Sequence, residues 1–182
     1  MKRVLVPLAP GFEEIEAVTI IDVLRRAGVE VVVAGIPAAD PLTGSRGITL
    51  IADQPLDEAD PKNFDMIAIP GGSQGVENLK NHPRFFSLLG EFTAQGKLLG
   101  AICAAPSLLS AAGLVCGKQV TSHPSVKAQV AASSLYSENR VVVDGKIVTS
   151  RGPGTAMEFS LKLVELLVGA EKVTELKAAM VV

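Results

Sequence analysis

Apolar residues along this chain fall into short unbroken runs that alternate with stretches of helical spacing. Arg3 to Leu8 is the first run, and Ala9-Pro10-Gly11 closes it, so a buried strand ending in a turn is predicted. From Glu13 the spacing becomes helical, with Ala17, Ile20, Ile21, Leu24 and Gly28 in one stripe and Gly28 as the stop. Val29 to Ala34 reads as a second buried strand. Asp40 to Gly47 reads as a polar turn and Ile48 to Ile51 as a short further strand. Asp53 to Phe64, with two prolines and four acids, reads as a surface connection. Met66 to Ile69 is again strand-like and closes on Pro70-Gly71-Gly72.

Glu77 to Gln95 has helical spacing with a joint at His82-Pro83. In Lys97 to Pro106, Leu98, Leu99 and Ile102 suit a buried strand, while Ala104 to Ala112 suit a helix ending near Gly113. Gln119 to Pro124 predicts a short strand ending at His123. Val141-Val142-Val143, Asp144-Gly145 and Ile147-Val148 give the strongest hairpin signal. Arg151 to Thr155 leads into a helix with Phe159, Leu163, Leu166 and Leu167 on one face, and a last helix starts at about Ala170. Strands at 3–8, 29–34, 66–69 and 97–102 alternating with helices imply an α/β fold. Its sheet would be mostly parallel and covered by helices on both faces. The 182 residues suffice for one domain, 1–182, with a sizeable core.

Composition narrows the function classes. Apolar residues make up 48%, and a formal charge of −2 gives no electrostatic reason to expect a nucleic-acid or acidic-membrane partner. Leu98 to Gly117 is twenty residues without a charge, long enough to span a bilayer. Pro106, Ser107, Ser110 and three glycines interrupt it, and a strand followed by a helix explains it better, so no membrane partner is expected. Two cysteines, and Met1-Lys2-Arg3 leading straight into a strand, suggest a reducing, cytoplasmic setting. Cys116 has no C-x-x-C partner, so no metal site is expected.

The chemistry concentrates at Cys103. At a strand-to-helix joint a thiol meets the free N–H groups and dipole of a helix, which push it toward thiolate. The alternative is a small buried hydrophobe. Glu13, Glu14 and Glu16 suit the first turns of a helix, where the dipole favours acids. Glu13 and Glu16 also stand above apolar positions, where an inward carboxyl would be desolvated and its pKa raised. Gly71-Gly72 could present N–H groups to a ligand or simply make a tight turn. His82, among Lys80, Asn81 and Arg84, reads as solvated. In a parallel sheet the crevice lies at the carboxyl ends of the strands, which gathers Glu13 to Glu16, Gly71-Gly72, Cys103 and His123. These are the parts for thiol chemistry on a carbonyl. No G-x-G-x-x-G follows the first strand, Gly152-Pro-Gly154 comes late, and no P-loop exists. The turn around Cys103 lacks the G-x-S-x-G spacing of a nucleophile elbow.

Taken in order, APGFEEIEAVTIIDVLRRAG, IPGG, GAICAAP, TSHP, YSENRVVVDG and TSRGPGTAMEF closely resemble the ThiJ/PfpI superfamily, most of all its parkinsonism-associated deglycase (DJ-one-like) branch. The resemblance runs from Arg3 to about Leu176 and implies a flavodoxin-like three-layer sandwich that forms homodimers. It makes Cys103 the reactive, oxidation-prone cysteine, with Glu16, not Glu13, hydrogen-bonded to it and His123 close by. It assigns Gly71, Gly72 and Ala104 to the backbone around the thiolate. Asp22, Arg26, Arg46, Arg151 and Pro153 fall at or near the family's dimer contact beside the site. Ala104 stands where protease-like members carry a histidine, which argues against proteolysis. The implied activity is a cofactor-free glyoxalase or deglycase. Its substrates would be methylglyoxal, glyoxal and their early adducts with amines or thiols. The alternative is a redox-sensing stress protein or chaperone, switched by oxidation of Cys103 to sulfinate.

Overall fold

The computed structural model of the protein describes residues 1–37 and 41–182. In chain order the elements are β1 (Arg3–Leu8), α1 (Glu14–Arg26), β2 (Glu30–Gly35), β3 (Leu42–Thr43), β4 (Thr49–Leu50), β5 (Gln54–Pro55) and β6 (Met66–Ile69). Then come α2 (Ser73–Lys80), α3 (Pro83–Ala94), β7 (Leu98–Ile102), α4 (Pro106–Ala111), β8 (Gln119–Val120) and α5 (Lys127–Ala131). The chain closes with β9 (Leu135–Tyr136), β10 (Val141–Asp144), β11 (Ile147–Ser150), α6 (Ala156–Val168) and α7 (Ala170–Met180). Among the described residues seven strands make one sheet in the order β10-β11-β7-β6-β1-β2-β5. Its neighbours are parallel except in the edge hairpin β10–β11.

The unbroken apolar runs are explained by burial on both faces. Val4, Val6 and Leu8 of β1 turn to one side, where α1, α6 and α7 supply Ile20, Leu24, Phe159, Leu163 and Leu176. Leu5 turns to the other, where α2, α3 and α4 supply Leu79, Phe85, Phe92 and Leu108. Each fully buried side chain of this size contributes roughly 1.5–3 kcal/mol of transfer free energy, so the three layers hold one another without help from the surface ion pairs. This is the flavodoxin-like sandwich that the family resemblance implied. Among the described residues no helix is long and apolar enough to cross a membrane. Leu98 to Gly117 divides into β7 and α4, as its turn residues indicated.

Several expectations need correction. Asp53 to Phe64 is not simply a surface connection. Gln54–Pro55 pairs with β2, and two 3-10 turns bury Leu56, Ala59 and Phe64 in the core. Ile48 to Ile51 supplies only Thr49–Leu50, which pairs with Leu42–Thr43 in a separate ribbon, while Ile48 and Ile51 are exposed. Asp40, where the polar turn was expected to start, lies outside the described residues. Leu166 points off the buried face of α6. His82 is largely covered rather than solvated, with Nδ1 buried and unpartnered and Nε2 3.9 Å from Asp57. The first helix after β6 starts at Ser73, four residues before Glu77. The strand expected to reach His123 stops at Val120.

Candidate active site

The carboxyl ends of the parallel strands bring the expected residues to one cleft of about 470 Å³. The cleft is lined by Glu13, Arg46, Gly72, Cys103, Ala104 and His123, among others. Glu16 lies beneath it, fully buried. Its place follows from α1. Glu13 is the N-cap and accepts the Glu16 N–H at 2.8 Å, which fixes the first turn and sends Glu16, followed by Ala17 and Ile20, inward.

Cys103 sits one residue past β7, with φ of 65°. A side chain in that left-handed region costs about 1–2 kcal/mol and is held by its surroundings. The Cys103 N–H donates to the Ser150 carbonyl at 3.0 Å, and the Cys103 carbonyl accepts from His123 N–H at 2.8 Å. The turn is thus fastened to β11 on one side and to the His123 segment on the other. The next helix begins only at Pro106 and has six residues. The helix dipole expected to ionise the thiol is therefore not at the sulfur. Backbone N–H groups of Gly72 and Ala104 face it instead.

Gly71 and Gly72 are required by close approach. A Cβ on Gly71 would stand 2.6 Å from the Cys103 Cβ and 2.8 Å from Glu16 Oε2. Gly72 has φ of 97°, and a Cβ there would stand 2.3 Å from the Gly11 carbonyl oxygen. Gly71 N–H donates to Glu16 Oε2 at 2.7 Å. Among the described residues Oε1, which is buried, has no partner of ordinary hydrogen-bond geometry, while the thiol is close enough to couple to the carboxyl. Burial is the largest influence on both groups. It raises Glu16 to about 7 against the Gly71 hydrogen bond. It pushes the Cys103 thiol up to about 12, the charge of Glu16 adding to the rise. The two acids form one system that releases its first proton near neutrality and holds the second far above it.

His123 stands at the mouth of the cleft and also caps the 3-10 turn Pro124–Val126, its side chain accepting from Ser125 N–H. Arg46 and Pro153 line the cleft. Arg151 lies beside it, pairing with Glu138 at 2.6 Å. Asp22 and Arg26 pair with each other at 2.6 Å on the exposed side of α1, away from the cleft. Glu14 is a residue that sequence reasoning missed. It is buried, and it accepts from Ser45 Oγ at 3.0 Å and from the Arg46 N–H. Burial opposes its charge, yet those donors hold its pKa below the ordinary carboxylate range. It thereby anchors the loop that carries Arg46 into the cleft. No local signal marked it, because its donors lie more than thirty residues away. Among the described residues no three His, Cys, Asp or Glu side chains gather as a metal-holding group.

Comparison with known proteins agrees with this fold. The family model described as the DJ-1/PfpI family matches residues 2–166. The chain is 42% identical to the Parkinson disease protein 7 homolog of Danio rerio, over 99% of this chain and 97% of that one. It is 40% identical to the glutathione-independent glyoxalase DJR-1.2 of Caenorhabditis elegans, over 96% and 94%. The crystal structure of Drosophila melanogaster DJ-1beta superposes with a TM-score of 0.96 at 42% identity, covering 100% of this chain and 98% of that one.

The raised Glu16 has a consequence for stability. Its folded pKa lies above the unfolded 4.5, so its contribution is full below pH 4.5 and is lost as pH rises toward 7. At about 1.4 kcal/mol per pH unit, the wild type loses about 3 kcal/mol across that window relative to Glu16→Gln. Urea denaturation of both proteins at pH 4.5 and pH 7.5 measures the difference. Equal pH dependence in the two would refute the assignment.

Proposed function

The chain belongs to the DJ-1/PfpI family, and from that premise we propose that it is a cysteine-dependent, cofactor-free glyoxalase. Its substrates are methylglyoxal, glyoxal and their early adducts. The observation that carries the reading is the coupled pair of Cys103 and Glu16 under an open cleft. A relative at 40% identity bearing the glyoxalase name supports it.

Once the pair has lost its first proton, one negative charge is shared, and hydrogen-bond donors face it on either group. On sulfur it meets the Gly72 and Ala104 N–H groups and a proton on Glu16, three charge-assisted bonds. On the carboxyl it meets the Gly71 N–H and a weak S–H donor. The carboxylate beside a neutral thiol is the resting form that the two pKa values favour, and transfer of the thiol proton to Glu16 gives the reactive thiolate, which the Gly72 and Ala104 N–H groups face. The thiolate attacks the aldehyde carbon, and Glu16 gives its proton to the resulting alkoxide, forming a hemithioacetal. Glu16, now a carboxylate with a pKa of about 7, removes the hydrogen on that carbon as a proton. Return of a proton to the neighbouring carbon gives a thioester. Water hydrolyses it to lactate, or to glycolate from glyoxal, and frees the thiol. His123 supplies a further polar group at the substrate oxygens. The same attack on early adducts would release the amine or thiol, which is the deglycase activity. A reducing, cytoplasmic setting keeps such a thiol usable.

The same donors favour a second reading. Peroxide would oxidise the Cys103 thiolate through sulfenate to sulfinate, being itself reduced to water. The Gly72 and Ala104 N–H groups and the Glu16 proton would hold the new oxygens. The protein would then act as a redox-sensing stress protein or chaperone. We further propose that two copies pair through the exposed Ile15 and Val18 of α1 and Ile48 and Ile51 of the ribbon.

Three measurements test these readings. Cys103→Ala and Glu16→Gln should each lower conversion of methylglyoxal to lactate by at least about 10²-fold. Wild-type turnover by Cys103→Ala, in a preparation free of contaminating glyoxalase, would overturn the enzyme reading. Mass spectrometry after mild peroxide should show two added oxygens on Cys103, and an unmodified thiol would remove the redox reading. Sedimentation should give a dimer that Val18→Glu dissociates. A monomeric wild type would refute the pairing.

A further inference from the structure

The imidazole of His123 is held at two of its ring atoms, Nδ1 and Cδ2. Nδ1 accepts the backbone N–H of Ser125 at 3.2 Å and lies 2.8 Å from Ser125 Oγ. Cδ2 lies against Gly152, where an added Cβ would come within 3.4 Å of it. The backbone on either side is also fixed. His123 N–H donates to the Cys103 carbonyl, and Lys127, four residues on, joins Glu138, which in turn holds Arg151. Only the Cε1–Nε2 tip remains free, and the ring lines the cleft beside Cys103.

A backbone N–H can only donate, so the Nδ1 that receives it must be the unprotonated nitrogen of the ring. Ser125 Oγ then donates to the same lone pair. The neutral imidazole therefore carries its proton on Nε2. We infer that His123 is a fixed Nε2–H hydrogen-bond donor to a carbonyl oxygen in the cleft, and that Ser125 is the positioning residue that sets its tautomer and angle. The inference rests on the thiol–carbonyl reading of the cleft and refines it. With Cys103 bonded to the aldehyde carbon of a 1,2-dicarbonyl, Nε2–H polarises the second carbonyl. That oxygen gains negative charge when Glu16 removes the hydrogen from the neighbouring carbon. The role suits substrates with two adjacent carbonyls over simple aldehydes, which offer no second oxygen to the donor. Proton removal stays with Glu16, since an Nε2 that bears a proton cannot accept one.

The chain has two histidines, so ring-labelled protein with His82→Gln reports His123 alone. Nitrogen NMR should show Nε2 protonated and Nδ1 bare in the neutral ring. In kinetics, His123→Gln places an amide N–H near the Nε2 position and should retain kcat within about tenfold. His123→Asn, which reaches only the Nδ1 position, should lose about 10²-fold. Ser125→Ala should lower kcat about tenfold with little change in KM. A ring protonated on Nδ1, or His123→Gln falling as far as His123→Asn, would overturn the inference. The tautomer is read without turnover, so an inactive wild type would refute the glyoxalase reading and leave the tautomer to its own result.

Discussion

A carboxyl group that water cannot reach is the constraint around which the carboxyl edge of this sheet is arranged. Glu16 is fully buried, and an ion there is tolerable only if donors replace its lost hydration. The chain offers one backbone N–H, from Gly71, and the neighbouring thiol. To deliver them, position 71 must lack a Cβ and position 72 must take a positive φ. Cys103 must also accept a left-handed backbone that its neighbours pin in place. The glycines, the strained cysteine and the raised carboxyl are consequences of one shortage of donors.

Two glutamates two positions apart on α1 illustrate how depth of burial and donors together set the outcome. Both are buried. Glu14 receives the Arg46 N–H and the Ser45 hydroxyl and is held below its ordinary pKa, charged and structural. Glu16 lies deeper, its burial outweighs the Gly71 N–H and the thiol, and it is raised to about 7, where it can exchange a proton at neutral pH. One serves to anchor a loop, and the other is suited to move protons. Their sequence context is nearly the same.

Much of the fold was legible because burial on two faces writes continuous apolar runs, and helices on one face write a period near 3.6. β1, β2, β6, β7 and the β10–β11 hairpin, with α1, α3, α6 and α7, appear close to where the pattern put them. The misses have physical causes. Asp53 to Phe64 looked like surface because its acids and prolines outnumber the three side chains it buries, Leu56, Ala59 and Phe64. Leu166 matched the helical stripe, yet a stripe does not say where its buried edge ends. His82 has polar neighbours in sequence but is covered by parts of the chain far from it, Asp57 among them.

By itself the sequence determined the layers, the mostly parallel sheet and the short set of residues gathered at one edge, since these follow from periodicity and from connections of limited length. Through its motifs it also singled out Cys103, Glu16 and His123. Tertiary structure alone decided their chemical states. It placed the helix start three residues beyond the sulfur, gave Glu14 its donors from a loop more than thirty residues away, and turned Nδ1 of His123 onto Ser125. Protonation in a buried site depends on which donors come within about 3 Å in space. Residues distant along the chain supply many of those donors, and no local pattern encodes them.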